Sequence, residues 1–71
     1  MLNQITMRAA RVNAGFTQPQ MADLMDRSDA TIRAWERNEK MPKADEFKKY
    51  CEICGLETSD VRLPEVFGKT E

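Results

Sequence analysis

Apolar side chains along the chain recur at three- to four-residue intervals rather than alternating, which is the period of a helix packed on one side. β-branched residues are scattered and no strict alternation occurs, so the pattern predicts helices and no strands. A first helix is expected over about Gln4–Ala14, with Asn3 as its N-cap. Gly15 ends it, because glycine takes the left-handed cap conformation without a Cβ clash. Thr17 followed three residues later by Gln20 reads as a capping box, and Pro19 sits in the first turn, where it costs no hydrogen bond. A second helix therefore runs over about Gln18–Met25, with Phe16 and Met21 as a hydrophobic staple.

Asp26-Arg27 interrupts the apolar pattern, and Ser28 is a good N-cap for a third helix reaching about Arg37, closed by Asn38. Met41-Pro42 belongs to a loop, since the residue before proline is pushed out of helical geometry. A fourth helix spans about Ala44–Cys54 and stops at Gly55. A short turn over Thr58–Arg62 and an extended tail complete the chain. The expected fold is all-α, with four or five short helices forming one domain over residues 1–63 and a tail over 64–71.

On a helical wheel the third helix divides cleanly. Ile32, Trp35 and Glu36 fall on one side; Asp29, Ala30, Arg33 and Arg37 fall on the other. One anchored face and one polar, arginine-bearing face suit a helix that enters a DNA major groove. The helix starts at Thr17 and Ser28 present N–H groups that attract phosphate.

Charge changes this picture only in degree. The chain has 71 residues and a formal net charge of −1, which is low for a nucleic-acid binder. The charge is unevenly placed: residues 1–43 hold seven basic and five acidic side chains, residues 44–71 four basic and seven acidic. The basic end faces phosphate and the acidic end is kept away from it. There is neither a long apolar run nor an apolar stretch behind a basic start. No membrane span or secretory signal is expected, and the cytoplasm is the default location.

The run Thr17-Gln18…Met21-Ala22…Leu24-Met25…Ser28…Thr31-Ile32…Trp35-Glu36…Pro42 resembles the Cro/repressor family of helix-turn-helix proteins. That family includes lambdoid phage repressors and bacterial xenobiotic-response-element regulators. The resemblance covers about residues 5 to 63 and implies a lambda-repressor-like domain binding a double-stranded operator. It implies base reading by Asp29, Ala30 and Arg33, with Ala34 at the margin. It implies phosphate contacts from Thr17, Gln18, Ser28, Thr31, Arg37, Lys40 and Lys43. It also implies a partly buried ion pair between Arg11 and Glu36. Three positions depart from the family pattern. Asp26 replaces the turn glycine, Arg27 replaces the apolar residue after it and makes the turn more basic, and Asn38 replaces the glycine closing the third helix. One arginine, one small residue and one acid make a sparse reading face, so a weak homodimer on two half-sites is expected.

Three features admit a second reading. Cys51 and Cys54 form a C-x-x-C pattern, but the sequence has no histidine and only two cysteines. They are read as core thiols on the face that carries Phe47 and Tyr50, and no metal or cofactor is expected. The first helix carries a second apolar stripe of Ile5, Ala9 and Val12 with Leu2 near its edge. Either the tail residues Val66 and Phe67 fold over it, or it binds a partner protein. No phosphate-binding glycine loop or catalytic motif is present, so no enzyme is expected. The leading functional reading is a small sequence-specific transcription regulator, Cro-like, from a phage or mobile-element switch. The alternative is an antirepressor or antitoxin-type protein that binds a partner repressor through the first helix.

Overall fold

A computed structural model describes residues 3–66. Four α-helices, α1 (Met7–Ala14), α2 (Gln18–Met25), α3 (Asp29–Glu36) and α4 (Ala44–Ile53), are followed by a 3₁₀ turn at Thr58–Asp60. The fold is all-α, and the boundaries follow local chemistry. Thr17 Oγ1 accepts from Gln20 N at 3.2 Å and Gln20 Oε1 accepts from Thr17 N at 2.9 Å, completing the capping box of α2. Ser28 Oγ accepts from Thr31 N at 3.2 Å and caps α3. Gly15 follows α1 at φ 89°, where a Cβ would be strained.

The start of α1 differs from the sequence expectation. Its N-cap is Thr6, whose Oγ1 accepts from Ala9 N at 3.0 Å, and not Asn3. Residues 4 and 5 are drawn away by the far end of the chain. Ile5 forms an isolated parallel bridge with Val61: Ile5 N donates to Asp60 O at 3.1 Å and Arg62 N donates to Ile5 O at 2.7 Å. Gln4 Nε2 adds a bond to Ser59 O at 3.2 Å. Ile5 packs against the core from this bridge, so it is not part of a helical stripe with Ala9 and Val12.

The core gathers residues from all four helices and the bridge: Met7 and Ala10, Met21, Ala22 and Met25, Ile32 and Trp35, Phe47, Tyr50 and Cys51, and Val61. Ala22 is small enough to let α2 lie close against α3. Ile32 and Trp35 are fully buried, each stabilising by about 1.5–3 kcal/mol through apolar burial. Trp35 meets Tyr50 edge to face at a centroid distance of 6.2 Å. Cys51 is buried as expected; Cys54 is half-buried and caps α4. Burial, then neighbouring charge, pushes the Cys54 thiol to about 11, and burial raises Cys51 too.

One polar network ties the helices together inside this core. Arg11 of α1 donates from Nε to Glu36 Oε2 at 2.7 Å and from Nη2 to Oε1 at 3.0 Å. Its Nη1 donates to Phe16 O at 2.8 Å, in the loop before α2. Gln18 Nε2 donates to Glu36 Oε1 at 3.1 Å. The Tyr50 hydroxyl of α4 lies 2.8 Å from Glu36 Oε2 and 3.0 Å from Met7 O, two acceptors for one proton. Burial disfavours the Glu36 charge, yet hydrogen bonds from Arg11, Gln18 and Tyr50 outweigh it and hold the carboxyl below its ordinary range. The bond to Glu36 raises the Arg11 guanidinium despite burial. Burial, then the Glu36 charge, pushes the Tyr50 hydroxyl far up, so it remains a donor.

After the bridge the chain is extended. Pro64 is buried, and Glu65 N donates to Asn38 Oδ1 at 3.3 Å, beside the end of α3. The tail crosses a cleft lined by Thr6, Met7, Trp35 and Glu36, at the start of α1 and the end of α3. Val66 is half-buried, while Leu2 and Phe67 lie outside the described residues.

Candidate nucleic-acid interface

α2, the turn at residues 26–28 and α3 form the helix-turn-helix pair. The turn depends on Asp26, which takes the left-handed conformation at φ 58°. Asp tolerates that conformation better than most residues, which explains how it can stand where the resemblance implies a glycine. Arg27 N then donates to Ala22 O at 2.9 Å, and Ser28 starts α3. Asn38 closes α3 from the other end at φ 61°.

Burial on α3 follows the wheel. Ile32 and Trp35 point into the core, while Asp29, Ala30, Arg33 and Arg37 are exposed together on the opposite side. Ala34 is half-buried at the margin. Arg37 is the C-cap residue of α3, so it stands at the far end of the exposed face from Asp29. Arg33 and Arg37 have no ionic or hydrogen-bonding side-chain partner among the described residues, which leaves their guanidinium groups available.

The other expected phosphate contacts fall into three groups. Ser28 and Thr31 share one hydrogen bond between their hydroxyls at 3.1 Å at the start of α3, and Thr31 is half-buried. Thr17 caps α2 by accepting from Gln20 N, and Pro19 has no N–H, so the Gln18 N–H is the donor left at the start of that helix. Gln18 is half-buried because its amide reaches Glu36; an amide nitrogen has two N–H groups, so one remains for an outside acceptor. Lys40 and Lys43 are exposed beyond α3, in the loop that leads to α4. Lys43 is also the N-cap residue of α4, and its backbone N donates to Glu46 Oε1 at 2.8 Å.

Two features were invisible in the sequence. The helical period places Tyr50 on the face of the core thiols, whereas its hydroxyl is also a donor to the Arg11–Glu36 pair. Arg27 was read as adding positive charge to the turn; instead it is paired with Glu46 of α4. The stripe read on the first helix is also altered. Ala9 is half-buried, Ile5 belongs to the bridge, and Val12 stands 51% exposed on the helix.

No helix among the described residues is long and apolar enough to cross a membrane. No group of His, Cys, Asp or Glu among them is arranged to hold a metal ion. The helix-turn-helix domain family matches residues 6–61, which contain α1 to α4, the 3₁₀ turn and the Val61 end of the bridge. No curated protein and no solved structure matches the chain. With the matched segment spanning most of the chain, the protein belongs to this helix-turn-helix family and is a DNA-binding protein of that type.

Proposed function

We propose that the chain is a small Cro-like transcription regulator that acts by occupying an operator, as in a phage or mobile-element genetic switch. The observation that carries the reading is the exposed face of α3, with Arg33 and Arg37 unpaired among the described residues, beside Asp29 and Ala30 on a helix anchored by Ile32 and Trp35. Arg33 suits a bidentate contact with guanine O6 and N7, and Asp29 suits a cytosine amino group. Ala34 meets the groove wall. Thr17, Gln18, Ser28 and Thr31 take phosphates at the two helix starts, with Arg37, Lys40 and Lys43 beyond. The reading face holds few side chains, so useful affinity requires two copies on adjacent half-sites. Operator occupancy requires no catalytic step and no cofactor.

The rival reading, binding of a partner repressor through the first helix, loses support. Ile5 is engaged with Val61, and Ala9 is half-buried. Among the described residues of that stripe Val12 alone stands exposed, too little for an interaction face. The test of the preferred reading is a mobility shift on the DNA flanking the gene, at moderate salt and against unrelated competitor. A sequence-dependent shift that weakens with salt is expected. Its absence at high protein concentration contradicts the proposal.

A further inference from the structure

The turn of the helix-turn-helix pair contains a cation that is exposed yet paired within the protein. Arg27 Nε donates to Glu46 Oε2 at 2.7 Å, and Nη2 approaches the same oxygen at 2.6 Å. Arg27 Nη1 donates to the carbonyl of Asp26 at 3.0 Å, the residue held in the left-handed conformation. The other oxygen of Glu46 accepts from Lys43 N at 2.8 Å. The Lys43 N–H and Arg27 together outweigh burial and hold the Glu46 carboxyl below its ordinary range. The side chain of Glu46 is 13% exposed and that of Arg27 is 42% exposed. A continuous chain of bonds thus runs from the Asp26 carbonyl through Arg27 and Glu46 to the backbone of Lys43. It joins the residue before the α3 cap to the residue that begins α4.

We propose that the Arg27–Glu46 pair is a positioning device that fixes the start of the recognition helix relative to the Lys43 end of the phosphate-facing loop. The inference rests on the DNA-binding reading above. It assigns Arg27 a role its charge alone does not suggest. Glu46 neutralises Arg27, so Arg27 adds nothing to phosphate attraction and instead holds two contact groups at a set spacing. The pair is partly exposed, so it contributes little to global stability. Its effect falls on geometry, since contacts at Ser28 and Lys43 must meet one DNA backbone together.

The discriminating measurement is the salt dependence of binding to a duplex that the wild-type protein selects from a random-sequence pool. Each phosphate contact contributes about 0.9 to the slope of log affinity against log salt. Arg27→Met keeps the aliphatic stem and removes the fork. It is expected to weaken binding roughly 3- to 10-fold, the net scale of one ordinary hydrogen bond, with the slope unchanged. Glu46→Gln releases Arg27 and is expected to weaken selected-site binding similarly while steepening the slope on random duplex. Amide exchange at Lys43 N, read by NMR without DNA, is expected to quicken in both variants.

A slope lowered by about 0.9 in Arg27→Met overturns the proposal, because Arg27 then touches phosphate itself. Unchanged affinity in both variants overturns it equally. Should wild-type protein bind no duplex, the DNA-binding reading fails first and the positioning role falls with it. That outcome is distinct, because quickened exchange at Lys43 N still identifies the bond chain.

Discussion

Replacing Arg11 by Met tests the polar network at its most demanding point. The substitution keeps most of the side-chain volume and removes three donated bonds, two to Glu36 and one to Phe16 O. Glu36, whose side chain is 2% exposed, is left with Gln18 and Tyr50 as donors and no counter-charge. Removing one partner of a buried ion pair costs about 3–5 kcal/mol, because the remaining charge stays desolvated. At about 0.05–0.15 kcal/mol per residue, a chain of this size holds roughly 4–10 kcal/mol in all. Arg11→Met is therefore expected to remove a large part of the stability.

Urea unfolding read through Trp35 fluorescence measures the loss, since this is the one tryptophan and it is buried. pH supplies the internal control. In the wild type the Glu36 carboxyl lies below its ordinary value near 4.5, so its contribution is complete above that value. It is lost as pH falls through the lower folded value. In Arg11→Met the burial penalty is no longer outweighed, the carboxyl shifts upward, and protonation relieves the variant. The stability gap should begin to narrow as pH falls through the raised value of the variant, above about 4.5, and go on narrowing down to the lowered value of the wild type. A loss under about 1 kcal/mol, or a gap independent of pH, refutes the reasoning.

Three further outcomes follow from the same geometry. Tyr50→Phe keeps the ring against Trp35 and deletes the donor to Glu36; a loss of about 1.5–3 kcal/mol is expected in the same urea assay. Cys51 and Cys54, both with thiols raised by burial, should react with a thiol reagent at pH 8 only after denaturant is added; rapid reaction of native protein counts against their placement. Val12→Asp should leave thermal stability within about 0.5 kcal/mol and DNA affinity unchanged, as expected for an exposed position outside the interface; a large loss of either implicates the first helix in assembly or binding.

Where a short stretch held its own punctuation, the sequence was readable. The boundaries of α2 were legible because Thr17, Pro19 and Gln20 act within one turn, and α3 because Ser28 caps and Asn38 closes. The exposed face of α3 followed from the helical period alone. The start of α1 was not legible: Asn3 and Thr6 are equally good caps locally, and the choice is made by Ile5 pairing with Val61 at the other end of the chain. The Arg11–Glu36 pair came from family resemblance. That Gln18 and Tyr50 join it needed the packed fold, because each is an ordinary residue on its own helix. Arg27 misled for the same reason: a lone arginine in a turn looks free until Glu46 is brought beside it.

The central claim is that α3 reads DNA sequence through Arg33. The most direct measurement compares wild type and Arg33→Ala on the selected duplex and on duplexes altered at single base pairs, at fixed salt. A loss of about 1–3 kcal/mol in binding and relaxed discrimination at one guanine position are expected, with the fold unchanged. Equal weakening on every sequence, or no weakening at all, contradicts it.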